Sequence, residues 1–152
     1  MGSYAFTGLK ENMAKAKAMS LPVSTKQCVL IAAFLKGKQV KDAKLILERV
    51  AALKQAVPYP RFNRDTGHKP GMAAGRYPVK ASKEILKLLA SVEANAQLKG
   101  LNTASLKIVH FCANRAARPL RFGRKSGVKS KRSHVEIIVE EVPKTSTKEK
   151  KV

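Results

Sequence analysis

The second half of the chain contains two strand-like runs, LKIVHFCA at residues 106–113 and VEIIVEEV at residues 135–142. Both runs are rich in the β-branched and aromatic residues that favour strands. The segment between them is basic, and the whole stretch from residue 94 to residue 135 lacks an acidic residue. Ordinary hairpins turn in a few residues, so arms this far apart belong either to a flexible loop or to an unusually long hairpin. We predict the long hairpin.

The predicted hairpin, residues 106–142, is long compared with the domain that carries it. An arm of about fifteen residues, at roughly 3.3 Å per residue, reaches on the order of 50 Å. A chain of this length packs to a radius of gyration of only ~15 Å. We therefore expect the tip, residues 116–131, to stand outside a globular body formed by residues 20–110 and 134–142.

The two arms differ in their apolar pattern. On the return arm Val135, Ile137 and Val139 form one alternating set, which should face the helices while Glu136 and Glu140 face solvent. The outgoing arm carries apolar residues in both phases. We expect that arm to be covered on both sides near its base.

The composition indicates a basic protein that binds a polyanion. The 152 residues fit one domain, and 31 Lys and Arg against 10 Asp and Glu give a net charge of +21. Nucleic acid is the leading candidate, because Lys and Arg side chains that neutralise phosphates release counterions and so favour binding. An anionic membrane surface is the rival, but the longest apolar run, residues 28–35, is too short to cross a bilayer. The amino terminus lacks a secretory pattern, so we expect a cytoplasmic protein.

Signs of catalysis or of a bound metal are missing from the sequence. The two cysteines, Cys28 and Cys112, lie in apolar runs and are expected to be buried small hydrophobic residues. The three histidines are scattered and give no zinc-site spacing. Glycine-rich phosphate loops and nucleophile motifs are also missing, so we predict a protein that is not an enzyme and has no cofactor.

The amino-terminal third contains the first predicted helix. Residues 1–19 are weakly patterned and are expected to form an extended or partly disordered arm, and residues 21–23 a short edge strand. Ser24 suits the N-cap of the helix, with Gln27 completing a capping box. Gly37 is expected to end it.

Two further helices are predicted from apolar residues at helical spacing. The second carries Ala43, Ile46, Leu47, Val50 and Leu53, and the third carries Ile85, Leu88, Leu89, Val92 and Ala96. Pro58 is expected to stop the second helix, and Pro78 and Gly100 suit the entry and exit of the third. Asn95 lies at the edge of the apolar face of the third helix. It is either a buried amide with its hydrogen bonds satisfied or an RNA contact. Three helices against a small antiparallel sheet make an α+β fold.

Residues 57–78 connect the second and third helices without a helical or strand pattern. A connection of this length is either disordered or ordered by a partner. Tyr59, Phe62 and Tyr77 are interleaved with arginines, a combination suited to stacking on bases while pairing with phosphates. The alternative, in which these rings pin the loop onto its own body, stays open.

The basic tip has a regular arginine pattern. Arginine recurs at every third position, as Arg115, Arg118, Arg121 and Arg124. Pro119 disfavours a helix, whereas a polyproline-like chain with about three residues per turn would align these side chains on one edge. A guanidinium group can donate two parallel hydrogen bonds to the oxygens of one phosphate, and the Phe122 ring could stack on an unpaired base. In isolation we expect a solvated, disordered tip that becomes ordered on RNA.

Several short pieces occur in a specific order: KGK at 36–38, VP at 57–58, GH at 67–68, GRYP at 75–78, EANA at 93–96 and VEIIVEE at 135–141. In this order and spacing, from residue 21 to residue 142, the chain resembles the universal large-subunit ribosomal protein twenty-two family, called seventeen in eukaryotes. It looks most like the archaeal and eukaryotic branch. Because no long lysine-rich tail follows Val142, the resemblance favours an archaeal source.

The resemblance implies a single ribosomal domain over residues 1–142, with a branch-specific loop at 57–78 and a disordered tail at 143–152. The body would lie near the polypeptide exit, bound to 23S-type rRNA and neighbouring ribosomal proteins, with no membrane and no homo-oligomer. The residues expected to bind rRNA are Lys26, Lys38, Arg61, Arg64, His68, Lys69, Arg76, Lys80, Arg115, Arg118, Arg121, Phe122, Arg124, Lys125, Lys129, Lys131 and Arg132. Those expected to line the exit tunnel beside the nascent polypeptide are Arg118, Pro119, Leu120, Arg121, Phe122, Gly123 and Arg124.

A basic regulator that binds nucleic acid outside the ribosome is the alternative function. Such a protein commonly places a recognition helix in the major groove of DNA. The helices predicted here are short and amphipathic, with lysines on several faces, so none of them suits that role.

Overall fold

The computed structural model of the protein describes residues 4–142, so the tail expected to be disordered lies outside the described residues. Within that range three helices occur: α1 (Thr25–Leu35), α2 (Val40–Ala51) and α3 (Val79–Leu98). Six strands accompany them: β1 (Met13–Leu21), β2 (Val57–Pro58), β3 (His68–Lys69), β4 (Met72–Arg76), β5 (Leu106–Arg115) and β6 (Ser133–Glu141). The predicted α+β class is confirmed. The strands form two antiparallel sheets, in the orders β1-β6-β5 and β2-β4-β3.

The central strand β6 supplies much of the core. Val135, Ile137 and Val139 are fully buried in one cluster with Ile85 and Leu89 of α3. Around this cluster, α3 packs against β1 and α2, and α1 packs against β5. The predicted orientation of these three β6 residues towards the helices is therefore confirmed.

A β-bulge at Val109 explains the apolar residues in both phases of β5. Ile108 pairs with Val139 and His110 with Ile138, so Val109 is the extra residue. Leu106 and Ile108 before the bulge, and Phe111 and Ala113 after it, all belong to the same core cluster or pack against it. The bulge turns both apolar sets onto one face, and the other face is covered by the amino-terminal segment, whose Phe6 ring lies 5.3 Å from the His110 ring.

The other face of β6 is also covered, contrary to the expectation that Glu136 faces solvent. Glu136 is 2% exposed and Ile138 is fully buried. The segment before β1 crosses this face, where the Ala5 main-chain N–H donates to Glu136 Oε1 at 3.1 Å and the Phe6 ring lies 5.3 Å from the His110 ring. Glu136 is thus a buried carboxylate with polar partners.

Strand β1 corrects the prediction for the amino-terminal region. Residues 13–18, expected to belong to an extended or partly disordered arm, pair with β6 along the edge of the sheet, and the strand ends at Leu21. Side chains in the last turn of α3 and just after it donate to carbonyls of β1: Asn95 Nδ2 donates to Lys15 O at 2.9 Å, and Lys99 Nζ donates to Met13 O at 2.7 Å. Asn95 therefore has a structural partner, although it is exposed rather than buried.

The helix limits agree with the predictions for α1 and α3 better than for α2. Ser24 occupies the N-cap of α1, but its side chain makes no capping bond, so the predicted capping box is not formed. Helix α2 ends at Ala51, well before Pro58, and Leu53 is 61% exposed with a φ of +60°. Pro78 and Gly100 flank α3 as predicted. Among the helices of residues 4–142, none is long and apolar enough to cross a membrane.

The connection at residues 57–78 is a small sheet rather than a patternless loop. β2 and β3 both pair with β4, and Tyr59 N donates to Ala74 O at 2.8 Å. Tyr59 is 4% exposed and belongs to the core, so this ring pins the segment onto the body. The strands β2 and β3 have two residues each, too few for a sequence period to show.

Hairpin pairing continues beyond the ends of β5 and β6. Ala116 N donates to Arg132 O at 3.2 Å, and Arg121 N donates to Val128 O at 3.0 Å. The chain reverses in a 3-10 turn at residues 123–125. Gly123 begins this turn with a φ of +62°, a conformation that glycine adopts without steric cost.

Candidate nucleic-acid interface

A basic cleft lies between the base of the hairpin and the start of α1. Its lining consists of Ser24, Thr25, Lys26, Arg115, Arg118, Lys131 and Arg132. We call this surface the hairpin-base cleft. Five of its seven residues are basic and none is acidic. Like charges gathered in one concavity raise the local potential, so an anion is attracted there.

Hydrogen bonds at the start of β6 hold the walls of the hairpin-base cleft together. The buried Ser133 hydroxyl donates to Val23 O at 3.1 Å and lies 2.7 Å from Thr25 Oγ1. Arg132 Nη1 donates to Ser20 O at 3.1 Å. These bonds tie the start of α1 to the hairpin base, so the cationic groups are positioned before any ligand binds.

The start of α1 adds to the positive potential of this cleft. The first N–H groups of a helix lack intrahelical partners and carry the positive end of the helix dipole. The first turn of α1 contains no acidic residue that would offset it. The helix end and the hairpin arginines therefore favour the same kind of ligand.

A second group of predicted site residues surrounds the hairpin tip. This tip surface is lined by Pro119, Leu120, Arg121, Phe122, Arg124, Lys125, Ser130 and Arg132. Arg132 lines both surfaces, so the two are neighbours. Phe122 is 95% exposed, which leaves its ring available for a partner. Residues 116–122 lie outside any helix, and their polyproline-like spacing stays a prediction.

The loop between β2 and β3 meets the hairpin-base cleft at Lys26. Lys26 Nζ lies 5.2 Å from the centroid of the Phe62 ring, and Arg61 Cζ lies 5.6 Å from it. Arg61 and Arg64 are exposed. Two predicted arginines therefore lie on a loop whose exposed ring adjoins the cleft.

Three other predicted residues of the 57–78 segment make contacts within it. His68 Nδ1 lies 3.1 Å from a main-chain carbonyl, and Lys69 Nζ lies 5.5 Å from the Tyr77 ring centroid. Arg76 Nη2 donates to Asp65 O at 3.2 Å. These contacts stabilise the segment. Among the hydrogen bonds described for residues 4–142, none involves the side chain of Arg61 or Arg64.

Lys38, Lys80 and Lys129 do not line either basic surface. Lys38 adjoins the base of β5, where its carbonyl accepts the N–H of Ile108 at 2.9 Å. Lys80 is exposed in the first turn of α3. Lys129 is exposed opposite Leu120 on the hairpin. Their predicted contacts with rRNA stay predictions.

A polar cluster that the sequence analysis missed lies beneath the amino-terminal segment. The ligand-capable atoms of His110, Cys112 and Glu136 all lie within 4.8 Å of one another. His110 Nε2 lies 3.2 Å from Glu136 Oε1, and Lys17 Nζ lies 3.8 Å from Glu136 Oε2. Cys112 is only half-buried, contrary to expectation. Residues 110 and 112 share a face at strand spacing, but only the register of β5 with β6 shows that Glu136 joins them.

The other cysteine behaves as predicted. Cys28 is fully buried in α1, and burial raises the pKa of its thiol to about 11. Burial also raises the pKa of Tyr59, which the positive charge of Arg76 partly offsets. A thiol held in its protonated form is a poor nucleophile, which agrees with a structural role for Cys28.

Comparison with known proteins identifies the family. Residues 16–140 match the family model described as ribosomal protein L22p/L17e. A large ribosomal subunit protein uL22 from Methanoculleus marisnigri is 44% identical over 147 residues, which cover 91% of this chain and 96% of the relative. The uL22 protein of Ignicoccus hospitalis is 42% identical over 143 residues, covering 87% and 90%. That of Thermofilum pendens is 40% identical over 138 residues, covering 87% and 91%. These organisms are archaea, as the resemblance predicts, and the chain belongs to the ribosomal protein L22p/L17e family.

Proposed function

We propose that the chain is a structural component of the large ribosomal subunit that binds 23S-type rRNA through the hairpin-base cleft and the tip surface. The observation that carries the proposal is the convergence of five basic residues, with no acidic residue among them, on a cleft at the base of a long hairpin. Membership in a family of ribosomal proteins agrees with the prediction that the chain is not an enzyme. We propose that it acts in the cytoplasm, as part of the ribosome.

Phosphate pairing is the physical basis of the proposed binding. Each phosphate that a basic side chain neutralises releases condensed counterions into solution. The net charge of +21 makes this gain large and also makes the free chain repel itself. RNA folded around the hairpin would relieve that repulsion, and the protein would in turn hold separate RNA segments together during assembly.

The hairpin tip is proposed to line the polypeptide exit tunnel beside the nascent chain and neighbouring ribosomal proteins. Support comes from the family resemblance and from the shape of the segment, in which main-chain pairing reaches Arg121 and Val128. The predicted tunnel-lining residues Leu120 and Phe122 are 57% and 95% exposed. Exposed apolar side chains at a basic tip suit a site enclosed by RNA and by a passing peptide.

A charge-matched pair of triple variants tests the role of the cleft. One variant carries Arg115→Ala, Arg118→Ala and Lys131→Ala, which remove three charges from the hairpin-base cleft. The control carries Lys41→Ala, Lys54→Ala and Lys83→Ala, which remove three charges from exposed lysines outside it. Binding to an in vitro transcript of archaeal large-subunit rRNA is measured across a series of salt concentrations.

Site binding and general charge attraction predict different results for the two variants. We expect the cleft variant to reduce the dependence of log affinity on log salt concentration by about one unit per removed contact, and the control to change it little. Equal losses in the two variants would refute a localised site. Sedimentation of cell extracts adds a second readout, since a protein that stays at the top of the gradient would be a regulator outside the ribosome.

A further inference from the structure

Phe62 combines a left-handed backbone conformation with an exposed aromatic ring. Its φ of +57° lies in the left-handed region that residues other than glycine rarely adopt. Ser20 and Leu53, the other such residues within 4–142, lie at the end of β1 and just after α2. Phe62 ends no element, and it is 43% exposed whereas the nearby Tyr59 is 4% exposed. A strained, exposed aromatic residue on a loop suggests a binding role.

The loop that carries Phe62 is held in place by contacts that do not involve its ring. Thr66 N donates to Asn63 O at 2.9 Å, which closes a turn directly after Phe62. Arg76 Nη2 donates to Asp65 O at 3.2 Å and ties the turn to β4. The ring is therefore not needed to anchor the loop, and the loop presents it in a fixed position.

The spacing around the ring suits the insertion of a flat group. Two aromatic faces in contact lie ~3.5 Å apart, so a base between the ring and a cation needs a separation of about 7 Å. Lys26 Nζ and Arg61 Cζ now lie 5.2 Å and 5.6 Å from the ring centroid. Either side chain must withdraw by about 2 Å or less, which long flexible side chains achieve by a change of rotamer.

The ring also lies beside the hairpin-base cleft. Lys26 contacts Phe62 on one side and lines the cleft with Arg115 and Arg118 on the other. A strand of RNA whose phosphates occupy the cleft would bring its next nucleotides to the ring. Because an unpaired base has a flat apolar face next to a charged phosphate, it matches an aromatic ring flanked by cations better than an apolar peptide does.

We propose that Phe62 is a stacking platform for one unpaired RNA base, with Lys26 and Arg61 closing over that base or its phosphate. The proposal rests on the proposed function, because the same RNA must occupy the hairpin-base cleft. It assigns the loop between β2 and β3 to base contact and the hairpin arginines to phosphate contact. Stacking tolerates any base, so Phe62 would select unpaired over paired RNA rather than one sequence.

Single substitutions separate stacking from charge. Phe62→Leu removes the flat ring, Phe62→Trp keeps one, and Lys26→Ala removes a charge and leaves the ring in place. Affinity for the archaeal large-subunit rRNA transcript is measured across salt concentrations, with circular dichroism to check the fold. We expect Phe62→Leu to weaken binding by roughly 5- to 150-fold at every salt concentration without changing the salt slope. Phe62→Trp should bind like the wild type, and Lys26→Ala should lower the slope by about one.

The outcomes distinguish this inference from the proposed function. If the Phe62→Leu variant binds as tightly as the wild type while wild-type binding remains salt-dependent, the stacking platform is wrong and the cleft proposal stands. A change of slope in the Phe62→Leu variant would also overturn the platform, because it would mean a lost phosphate contact. If the wild type itself shows no salt-dependent affinity, the proposed function fails and this inference fails with it.

Discussion

The buried carboxylate of Glu136 should matter for stability far more than its position on a strand of a basic protein suggests. It accepts the Ala5 main-chain N–H at 3.1 Å and lies 3.2 Å from His110 Nε2 and 3.8 Å from Lys17 Nζ. Only 3% of its side chain is exposed. Replacing Glu136 by alanine removes one acceptor that joins three strands or segments: β5, β1 and the amino-terminal segment.

The magnitude follows from the partners of Glu136. Hydrogen bonds to a charged group contribute about 1.5–3 kcal/mol each, and two of the three contacts are within hydrogen-bond distance. The side chains of Lys17 and His110 are 20% and 22% exposed, so both can regain water after the substitution. We therefore expect Glu136→Ala to lower the free energy of unfolding by about 2–4 kcal/mol, less than the sum of its contacts. Glu136→Gln, which keeps an acceptor without the charge, should have a smaller effect.

Glu84 of α3 provides a control with an exposed partner. Its side chain is 24% exposed and lies 3.3 Å from a Lys87 ammonium group that is itself 75% exposed. Such an exposed pair contributes about 0–1 kcal/mol. Urea unfolding followed by circular dichroism compares the two alanine variants, and protease cleavage after Lys10 reports release of the amino-terminal segment. Equal destabilisation of both variants, or an unchanged cleavage rate in Glu136→Ala, would refute the reasoning.

Three further predictions concern the body. Because burial raises the pKa of Cys28 to about 11, the unreactive protonated form dominates at neutral pH and its share falls only as the pH approaches that value. A thiol reagent at pH 7 should modify Cys112 promptly and Cys28 only after unfolding in urea, and rapid modification of both would contradict this. Leu89→Ala, at a fully buried position, should lower the free energy of unfolding by about 2–5 kcal/mol in urea titrations. Asn95→Ala removes the donor to Lys15 O and should cost about 1 kcal/mol in the same assay, whereas no loss would mean that water replaces the bond.

The elements that could be predicted from sequence are those with a strong local period. Helix α3 shows Leu88, Leu89 and Val92 on one face, and burial along the observed helix follows that stripe. The β5 and β6 arms were visible as runs of β-branched residues. In each case the apolar residues are large, so their burial drives the local structure and their spacing reveals it.

Strand β1 was missed although it does alternate. Ala14 and Ala16 face the core and alternate with Lys15 and Lys17. Alanine buries little area, so the alternation carries a weak hydrophobic signal. Strand β1 is held in place by its pairing with β6 and by the hydrogen bond from the Asn95 side chain to Lys15 O. Both are long-range contacts that no short window of sequence contains.

The bulge and the polar cluster could not be predicted from the sequence, for a related reason. Val109 is an ordinary β-branched residue, and only the register with β6 makes it the extra one. That register turns His110 and Cys112 away from the core and towards Glu136. A one-residue shift exchanges the two faces of a strand, so the sequence alone could not decide which set of side chains was buried.

The basic residues of the candidate site were easier to predict than the contacts that position them. A sequence shows which residues are charged, but it does not show which residues they contact. Ion pairs among residues 4–142 all involve lysine or histidine, as in Lys44–Glu93 and Lys87–Glu84, and none involves an arginine. The scarce carboxylates thus stabilise the body, while the arginines of the hairpin stay without carboxylate partners in this part of the chain. A segment so charged opposes its own compaction unless an outside anion neutralises it. The charge distribution that limits the stability of the free protein is therefore the one that would favour its binding to RNA.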